Sequence, residues 1–415
     1  MSAFTVPLSG LAAESSALNV IGNNLANLNT DGYKDQDTTF SDIFNQMAST
    51  SGNGDPIQMG SGVQVGEVVS NYSNGTVNAT GIDSNMALQG NGFFVVQDAT
   101  SGQNSYTRDG DFTVNAQGDL TTSDGQLVLG YPAVDGVVSS AATPVAINVN
   151  QQATLPGSAT TSFQMTTNLD ATGGVGSTFS TPITVYDSLG NSQTVTVNFT
   201  NTGTNAWSYT VTVPSSALTG GTGTTTQVST GTLTFDSSGN LLTPTSPVTG
   251  IDINKLADGA ANLSLSWDLT GTGGSSLLTQ QATTSATAAT SQNGYGVGTL
   301  TSYSVLPDGT IQGQFTNNQS LSLGQVAVAS FANVQGLEQL GNGNLTATAA
   351  SGAAIIGKAE AGGNGNIVGG SVEESNVNLS TEFSNMIVAQ QGYEANAKVL
   401  TTMDQLSQAT IQLIT

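Results

Sequence analysis

Large apolar residues recur near the start of the chain at steps of three, four or seven, with Ser15 in the one gap of the series. They are Phe4, Leu8, Leu11, Leu18, Ile21, Leu25 and Leu28. This spacing places them on one face of a 3.6-residue helix. A second face carries Asn19, Asn23 and Asn27, and Asp31-Gly32 is a stop signal. The pattern predicts an amphipathic helix that packs against other helices.

The end of the chain repeats this pattern over a longer run. Apolar residues at spacings of three and four are Leu379, Phe383, Met386, Tyr393, Ala397, Leu400, Met403, Leu406 and Leu413, with gaps at Gln390 and Thr410. Gln405, Gln408 and Gln412 form an uncharged polar stripe on another face. Ser380 with Glu382, or Glu373 with Ser375, gives an approximate capping signal. A second, longer amphipathic helix is therefore predicted.

The region between the helices reads as strands and turns. Residues 93–96, 127–129, 183–185 and 194–199 are rich in β-branched and aromatic side chains and are bounded by Gly, Asn and Asp. Asn-Gly and Asp-Gly pairs, such as those at 308–309 and 342–343, are turn signals. The fold class is predicted to be mainly β with terminal α-helices, which pack as a coiled-coil-like unit beside two nested β domains.

Composition shifts mark the predicted domain boundaries. Residues 46–70 are rich in Gly and Ser and are expected to form an extended connector. From about residue 145 to 290 the chain becomes rich in Thr, Ser and Gly, which indicates an inserted outer β domain. The expected division is a terminal helical part (1–45 and 371–415), the connector, a discontinuous inner β part (71–144 and 291–370) and the insertion (145–290).

The two apolar stripes need partners. Burying each large apolar side chain is worth about 1.5–3 kcal/mol, and the β regions have patterning of their own. Helices with an unburied stripe pair with each other or with other chains, or fray. Periodicity alone is also compatible with an ordinary intramolecular core. The sequence favours an assembly protein whose ends pack together in a polymer.

Composition and charge exclude several classes of protein. The chain has 415 residues, 28 acidic and 5 basic side chains, no histidine and no cysteine, and a net charge of −23. Disulfides, imidazole or thiolate metal sites and Ser-His or Cys-His catalytic pairs are therefore ruled out. Five cations cannot form a nucleic-acid-binding surface or attract an anionic membrane. No apolar run approaches the ~18 residues of a membrane span, and the first basic residue is Lys34, so neither membrane insertion nor a cleaved signal peptide is expected.

Motifs that suggest chemistry have simpler interpretations. Gly90-Asn91-Gly92 lacks the Lys-Ser/Thr of a phosphate loop and indicates a tight turn. Arg108, a rare cation in an acidic chain, is interpreted either as a salt-bridge partner within or between subunits or as a solvated side chain. No carboxylate pair is organised around a recognisable site, so neither an enzymatic activity, a cofactor nor a metal is predicted.

Four blocks of sequence resemble the bacterial flagellar rod and hook axial proteins. The N-terminal block is Ser9-Gly10-Leu11 with residues 21–34, including Gly22, Asn23, Asn24, Asn27, Asn29, Thr30, Gly32 and Tyr33. Internal blocks contain Gly90, Gly92, Phe93, Phe94 and Arg108, and then Leu323-Gly324-Gln325 with residues 331–337. The C-terminal block runs from Glu374 to Val399 and includes Asn376 and Asn396. They cover about half the chain, and residues 145–290 contribute nothing specific.

Within that family, the length and the large insertion are most similar to the hook proteins. The resemblance implies a subunit of a curved, flexible, hollow tube that transmits motor torque to the filament. It also implies an extracellular position in the flagellar hook, export by the flagellar type III apparatus, and contacts with rod, hook cap and hook–filament junction proteins. A distal rod component is the nearer alternative, and a secreted β-rich adhesin the more distant one.

A polar face of such helices would meet the channel of the tube. The candidates for its lining are Asn19, Asn23, Asn27, Gln405, Gln408 and Gln412. An amide lining would hold a passing unfolded chain less strongly than an apolar or charged lining. A solvated helix face is the alternative interpretation of the Asn residues.

Overall fold

The computed structural model describes residues 4–43, 46–50, 56–139, 141–150, 152–271 and 273–414, with backbone alone at 46–50, 56–59, 413 and 414. The chain divides into two compact units. The first comprises Met1–Gln151, Ser302–Gly313 and Leu321–Thr415, and the second comprises Gln152–Thr301 and Gln314–Ser320. The insertion was predicted at 145–290, whereas the longer segment of the second unit is Gln152–Thr301, so the two boundaries lie 7 and 11 residues later than predicted.

The described residues form two α-helices, α1 (Thr5–Ala26) and α2 (Leu379–Ile414), with short 3-10 turns at Ser215–Ala217 and Val334–Gly336. The strands, in chain order, are β1 (Gln36–Asp42), β2 (Gln46–Thr50), β3 (Pro56–Met59), β4 (Val63–Ser70), β5 (Val77–Ala79), β6 (Met86–Gln89), β7 (Phe93–Gln97), β8 (Asn104–Thr107), β9 (Thr113–Val114), β10 (Leu120–Thr121), β11 (Leu127–Val134), β12 (Val137–Val138), β13 (Val145–Ala146), β14 (Thr154–Leu155), β15 (Ser162–Asp170), β16 (Thr178–Tyr186), β17 (Ser192–Gly203), β18 (Ala206–Pro214), β19 (Thr225–Phe235), β20 (Leu241–Thr243), β21 (Val248–Ile253), β22 (Leu263–Asp268), β23 (Leu278–Gln281), β24 (Ala286–Gln292), β25 (Gly298–Val305), β26 (Thr310–Phe315), β27 (Ser320–Ser330), β28 (Glu338–Gly341), β29 (Asn344–Thr346), β30 (Ile355–Lys358), β31 (Asn366–Gly369) and β32 (Ser371–Glu373). The predicted fold class, mainly β with paired terminal helices, is confirmed.

The helix ends differ from the expected ones. Helix α1 ends at Ala26, and Phe4 and Leu28 lie just outside it, so the helix stops before Asp31-Gly32. The end is satisfied by Asn27, whose backbone N–H donates to the carbonyls of Asn23 and Asn24. Helix α2 begins after Asn378, whose Oδ1 accepts from the backbone N–H groups of Ser380 and Thr381 at 3.0 and 3.2 Å. Asn378 is therefore the N-cap, in place of the two pairs expected from the sequence.

Strands β1 to β4 form two antiparallel pairs, and three of these strands lie in the range 46–70 that the sequence predicted to be an extended connector. Strand β4 pairs antiparallel with β1, and β2 pairs antiparallel with β3. The described side chains of β1 and β4 are exposed or half-buried on both faces, which suits the polar residues that these two strands contain. Antiparallel pairing satisfies backbone groups that a connector would leave to water.

The inner β region of the first unit is built on β7, which lies between β11 and β8 and also pairs with β27. Its residues Phe93 to Val96 are all buried. Phe93 contacts Tyr72 and Phe331 edge to face, at ring-centroid distances of 5.6 and 5.9 Å. The strand predicted at 93–96 is thus a central strand of this core.

The second unit is a two-sheet β structure. One sheet has the order β16-β17-β18-β19-β20, and the other has β21-β22-β15-β23 with β24 also on β15. Strand β18 alternates strictly between buried and half-buried residues, as a strand with one face on a core does. Trp267 is the centre of that core, 6.1 Å from the Phe163 ring and 5.4 Å from the Tyr209 ring.

Candidate functional site

Helices α1 and α2 pack antiparallel along a seam of small residues. The buried positions of α1 are Pro7, Gly10, Ala13, Ala17, Ile21 and Asn24. A Cβ on Gly10 would lie 2.8 Å from the Asn396 side chain, and a Cβ on Gly392 would lie 2.6 Å from the Glu14 carboxylate. Each glycine therefore lies under a side chain of the other helix, and a larger residue there would displace that side chain.

The predicted apolar stripes form only part of the seam, where Leu18, Ile21 and Met386 pack around Ala17 and Ala389. Ile21 alone of the stripe residues is buried; Phe4, Leu11, Leu18, Leu25, Leu28, Met386, Ala397, Leu400 and Met403 are half-buried, and Leu8, Leu379, Phe383, Tyr393 and Leu406 are exposed. The Leu413 side chain lies outside the described residues. The helices do pair as expected, but small residues share the seam with three stripe residues, and other large apolar side chains, mainly on α2, face outward.

Further apolar residues that the sequence analysis missed are exposed on the same helices. Val6 is 47% exposed on α1, and Ile387 (55%), Val388 (68%) and Val399 (45%) are exposed on α2. They fall between the positions of the predicted stripes. The sequence indicates this exposure at one point, the run Met386-Ile387-Val388, because three consecutive apolar residues cover more of the helix circumference than a single stripe does. A soluble chain seldom leaves so many large apolar side chains on one element without a partner.

Asn24 is the polar connection between α1, β1 and α2. It is 1% exposed. Its amide nitrogen donates to the Gln36 carbonyl at 2.9 Å and to Glu382 Oε2 at 3.3 Å. Its Oδ1 accepts from the Gln36 N–H at 3.0 Å and from the Tyr33 hydroxyl at 3.1 Å. Burial raises the pKa of Glu382, against the lowering effect of the Asn24 hydrogen bond.

A buried ionic cluster joins the N-terminal block, the inner β region and the segment before α2. Glu373, which is 0% exposed, contacts Lys34 Nζ at 2.6 Å and Arg108 Nη1 at 3.3 Å. Arg108 also donates to the carbonyls of Leu88 and Gly90, and it lies 5.3 Å from the centre of the Phe93 ring. Burial lowers the pKa of both cations, and the charge of Glu373 opposes this. Of the two interpretations of Arg108, the salt bridge is confirmed, and it lies within the chain.

The remaining residues of the family blocks are mostly structural. Gly32, Gly90 and Gly92 have φ of +69°, +114° and +122°. Asn376 holds the N-terminal block by accepting from the Asp35 N–H at 2.8 Å and donating to the Asn71 carbonyl at 2.8 Å. Asn396 donates to the Gly392 carbonyl at 2.9 Å. Gly22, Asn29 and Thr30 are at least partly solvent-facing, and Phe93 and Phe94 belong to the core.

The predicted channel-lining amides fall into two groups. Asn27 donates to Asn23 Oδ1 at 3.0 Å and to the Asn23 carbonyl at 2.9 Å, so these two side chains close the end of α1. Asn19, Gln405, Gln408 and Gln412 are exposed, and Gln408 donates to Asp404 at 2.9 Å. The structure therefore brings Asn23 and Asn27 together in a local role and leaves Asn19 and the Gln residues on helix surfaces.

A cleft of about 700 Å³ opens beside the N-terminal block. Its lining includes Tyr33, Asp31, Asp109 and Asp124. Burial, with smaller contributions from the charges of Asp111, Asp31 and Asp124, raises the pKa of Asp109 to about 6. The described residues contain no cluster of three or more acidic side chains arranged to hold a metal ion. No helix within the described ranges is long and apolar enough to cross a membrane.

Comparisons with known proteins cover nearly the whole chain. Four family models match: "Flagella basal body rod protein" at 5–34, "Flagellar hook protein FlgE/F/G D1 domain" at 87–198, "Flagellar basal body protein FlaE D2 domain" at 159–295 and "Flagellar basal body rod FlgEFG protein C-terminal" at 368–413. The match at 159–295 gives a family identity to the inserted region, in which sequence reasoning found nothing specific.

Full-length relatives agree with these models. The chain is 35% identical to the flagellar hook protein of Salmonella typhimurium, over 99% of both chains. It is 34% identical to that of Escherichia coli, over 99% of this chain and 100% of the other. It is 30% identical to that of Treponema pallidum, over 98% of both. The crystal structure of a Helicobacter pylori flagellar hook protein matches with a TM-score of 0.50 at 14% identity, over 70% of this chain and 98% of that one, which supports the fold.

Proposed function

The chain belongs to the flagellar hook protein family, and we propose that it forms the hook by packing its terminal helix pair against the helix pairs of neighbouring copies. The full-length relatives are hook proteins, which favours a hook subunit over a distal rod component and over a secreted adhesin. The assembled copies would form a hollow, curved tube, which would act as a flexible joint between motor and filament.

The observation that carries the assembly proposal is the outward apolar face of α2. Phe383, Ile387 and Val388 are 47%, 55% and 68% exposed, and Leu406 is 63% exposed. Because about half to two thirds of each side chain is exposed, full coverage by a partner would gain about 0.7–2 kcal/mol for each. Because the seam between α1 and α2 is already filled by small residues, this surface is free to contact a second copy.

We further propose the partners that the family context suggests. These are rod, hook cap and hook–filament junction proteins, together with the flagellar type III export apparatus, and the assembled protein would lie outside the cell. The domain division predicted from sequence is kept as a working proposal: residues 1–45 and 371–415 would form the assembly part, and the β parts at 71–144 with 291–370 and at 145–290 would carry other surfaces of the subunit.

Asn19 and Gln405 remain candidates for the channel wall, together with Gln408 and Gln412. Asn23 and Asn27 are weaker candidates for the channel wall, because their side chains bind each other at the end of α1. Replacing Asn19 and Gln405 by Leu should slow export of later subunits through the tube. Filament growth at the normal rate in this double variant would contradict the amide lining.

The assembly proposal is tested with Val388→Asn, which changes a 68% exposed side chain on α2. The loss of one buried Val, about 1.5 kcal/mol, should raise the concentration needed for polymerisation by roughly tenfold. Val175→Asn is the matched control, because Val175 is 76% exposed and belongs to the second unit, whereas both helices belong to the first. Sedimentation and electron microscopy would measure tube formation, and equal assembly by both variants would refute the proposed interface.

A further inference from the structure

The Glu373 carboxylate gathers four segments that are distant along the chain. Its Oε1 accepts from Lys34 Nζ at 2.6 Å and from the Gly75 backbone N–H at 2.8 Å. Its Oε2 accepts from Arg108 Nη1 at 3.3 Å. Glu373 itself is the last residue of β32, a few residues before α2. The partners thus come from the segment after α1, the segment before β5 and the turn after β8.

The cluster contains two positive side chains and one negative side chain. Lys34 and Arg108 are 7% and 4% exposed, and in the described part of the chain Glu373 is the one acidic side chain within salt-bridge distance of either. Without Glu373, two cations would be buried close together, and no acidic side chain among the described residues would lie within salt-bridge distance of either. Removing one partner of a buried ion pair leaves an uncompensated charge, which strongly opposes burial. Packing of the N-terminal segment and of the β8 turn around Lys34 and Arg108 is therefore unfavourable until Glu373 is docked between these two cations.

We propose that Glu373 is a latch that makes closure of the first unit conditional on both ends of the chain. Lys34 lies 339 positions before Glu373, so a chain whose C-terminal segment has not yet docked holds both cations in water and leaves the N-terminal segment open. Docking of Glu373 then closes the segments around Lys34, Gly75 and Arg108 in one step. Because β32 leads directly into α2, the same step places α2 for pairing with α1.

The test compares Glu373→Gln with Glu374→Gln in the full chain, by hydrogen exchange and mass spectrometry. Glu374 is the neighbouring exposed carboxylate, so the two variants change the net charge equally. Glu373→Gln should speed amide exchange by on the order of 100-fold or more in all four segments, near residues 27–37, 71–77, 104–112 and 368–376, with the second unit unchanged. Glu374→Gln should leave all four within about twofold of the wild-type rate. A rise confined to 368–376, or an equal effect of the control, would overturn the latch.

Lys34→Met covers the case in which Glu373→Gln does not fold. This variant leaves one cation and one carboxylate, the Arg108–Glu373 pair, in balance. Exchange should rise by about tenfold or more near residues 27–37 and 71–77, while residues 104–112 keep their wild-type protection. Unchanged exchange near 27–37, or an equal rise at 104–112, would contradict the proposal.

Discussion

Asn24→Asp is the substitution with the sharpest expected effect on the helix pair. The side chain keeps its size, but its two N–H donors are lost. The half-buried Gln36 carbonyl loses its partner, and the new carboxylate lies about 3.3 Å from Glu382 Oε2, where the amide donated before. A hydrogen bond at the centre of the helix–strand junction becomes a repulsion between two carboxylates.

The magnitude follows from these two contacts. Leaving a buried acceptor unpaired costs about 1–3 kcal/mol, and a close like-charge pair adds to it. A total near 3 kcal/mol would lower the urea midpoint of the first unit by roughly 1–3 M for m-values of about 1–3 kcal/mol/M. Because burial already raises the pKa of Glu382, the effect should shrink as the pH falls and one carboxyl takes up a proton and donates again.

The assay uses circular dichroism to follow unfolding of the first unit and tryptophan fluorescence to follow unfolding of the second. Both helices belong to the first unit, and both tryptophans, Trp207 and Trp267, belong to the second. Circular dichroism at 222 nm during urea titration should show an early transition for Asn24→Asp, while tryptophan fluorescence should match that of the wild type. Asn19→Asp is the matched control, because Asn19 is exposed on the same helix. Equal helix midpoints for the two variants would refute the connecting role of Asn24.

Three further predictions concern other parts of the chain. Asp109→Asn should stabilise the first unit at pH 7.5 by no more than about 3 kcal/mol and should have no effect near pH 3.5. Folding raises the pKa of the Asp109 carboxyl to about 6, so the contribution of this group to stability is present below about pH 3.8 and is lost as the pH rises through 6. Urea titration at both pH values measures the difference. Gly32→Ala should destabilise the first unit by more than about 2 kcal/mol in the 222 nm transition, because φ is +69° and the new Cβ would lie 2.5 Å from the Asp109 backbone nitrogen. Phe199→Ala should destabilise the second unit by about 3–5 kcal/mol in the tryptophan transition, because Phe199 is fully buried 6.0 Å from the Trp267 ring.

Each of these has a control on the same chain. Asp83→Asn removes an exposed carboxylate and should not change stability at either pH; equal stabilisation by both Asn variants would point to net charge instead. Gly22→Ala serves for Gly32, since a Cβ on Gly22 meets nothing within 4 Å, and it should be neutral or stabilising. A shift of the 222 nm transition in Phe199→Ala would show that the two units do not unfold separately.

Local periodicity was a good guide to the elements. The strands predicted at 93–96, 127–129, 183–185 and 194–199 lie within β7, β11, β16 and β17. The Asn342-Gly343 turn joins β28 and β29 with φ of +52° and +72°, as a hairpin signal of this type requires. These features depend on residues close in sequence, so the sequence contains the information needed to predict them.

The faces of the helices were harder to predict. Periodicity identified Leu8, Phe383 and Leu406 as apolar, but the monomer buries Gly10, Ala13 and Ala17 instead. Small residues carry little hydrophobic signal, yet they leave room for side chains of the partner helix, as the Asn396 side chain over Gly10 shows. A stripe shows that a helix has an apolar face; it does not show which partner covers that face.

Two amphipathic end helices, a strand-rich middle and the exclusion of His and Cys chemistry therefore follow from local pattern and composition. The small-residue seam, the Asn24 connection and the pairing of Lys34 and Arg108 with Glu373 do not. They join positions hundreds of residues apart, and a buried charge or amide is recognisable only once its partner is known. Solvent exposure is likewise a property of the folded chain: it leaves most stripe residues half-buried and exposes a few, mainly on α2, that a second copy can cover.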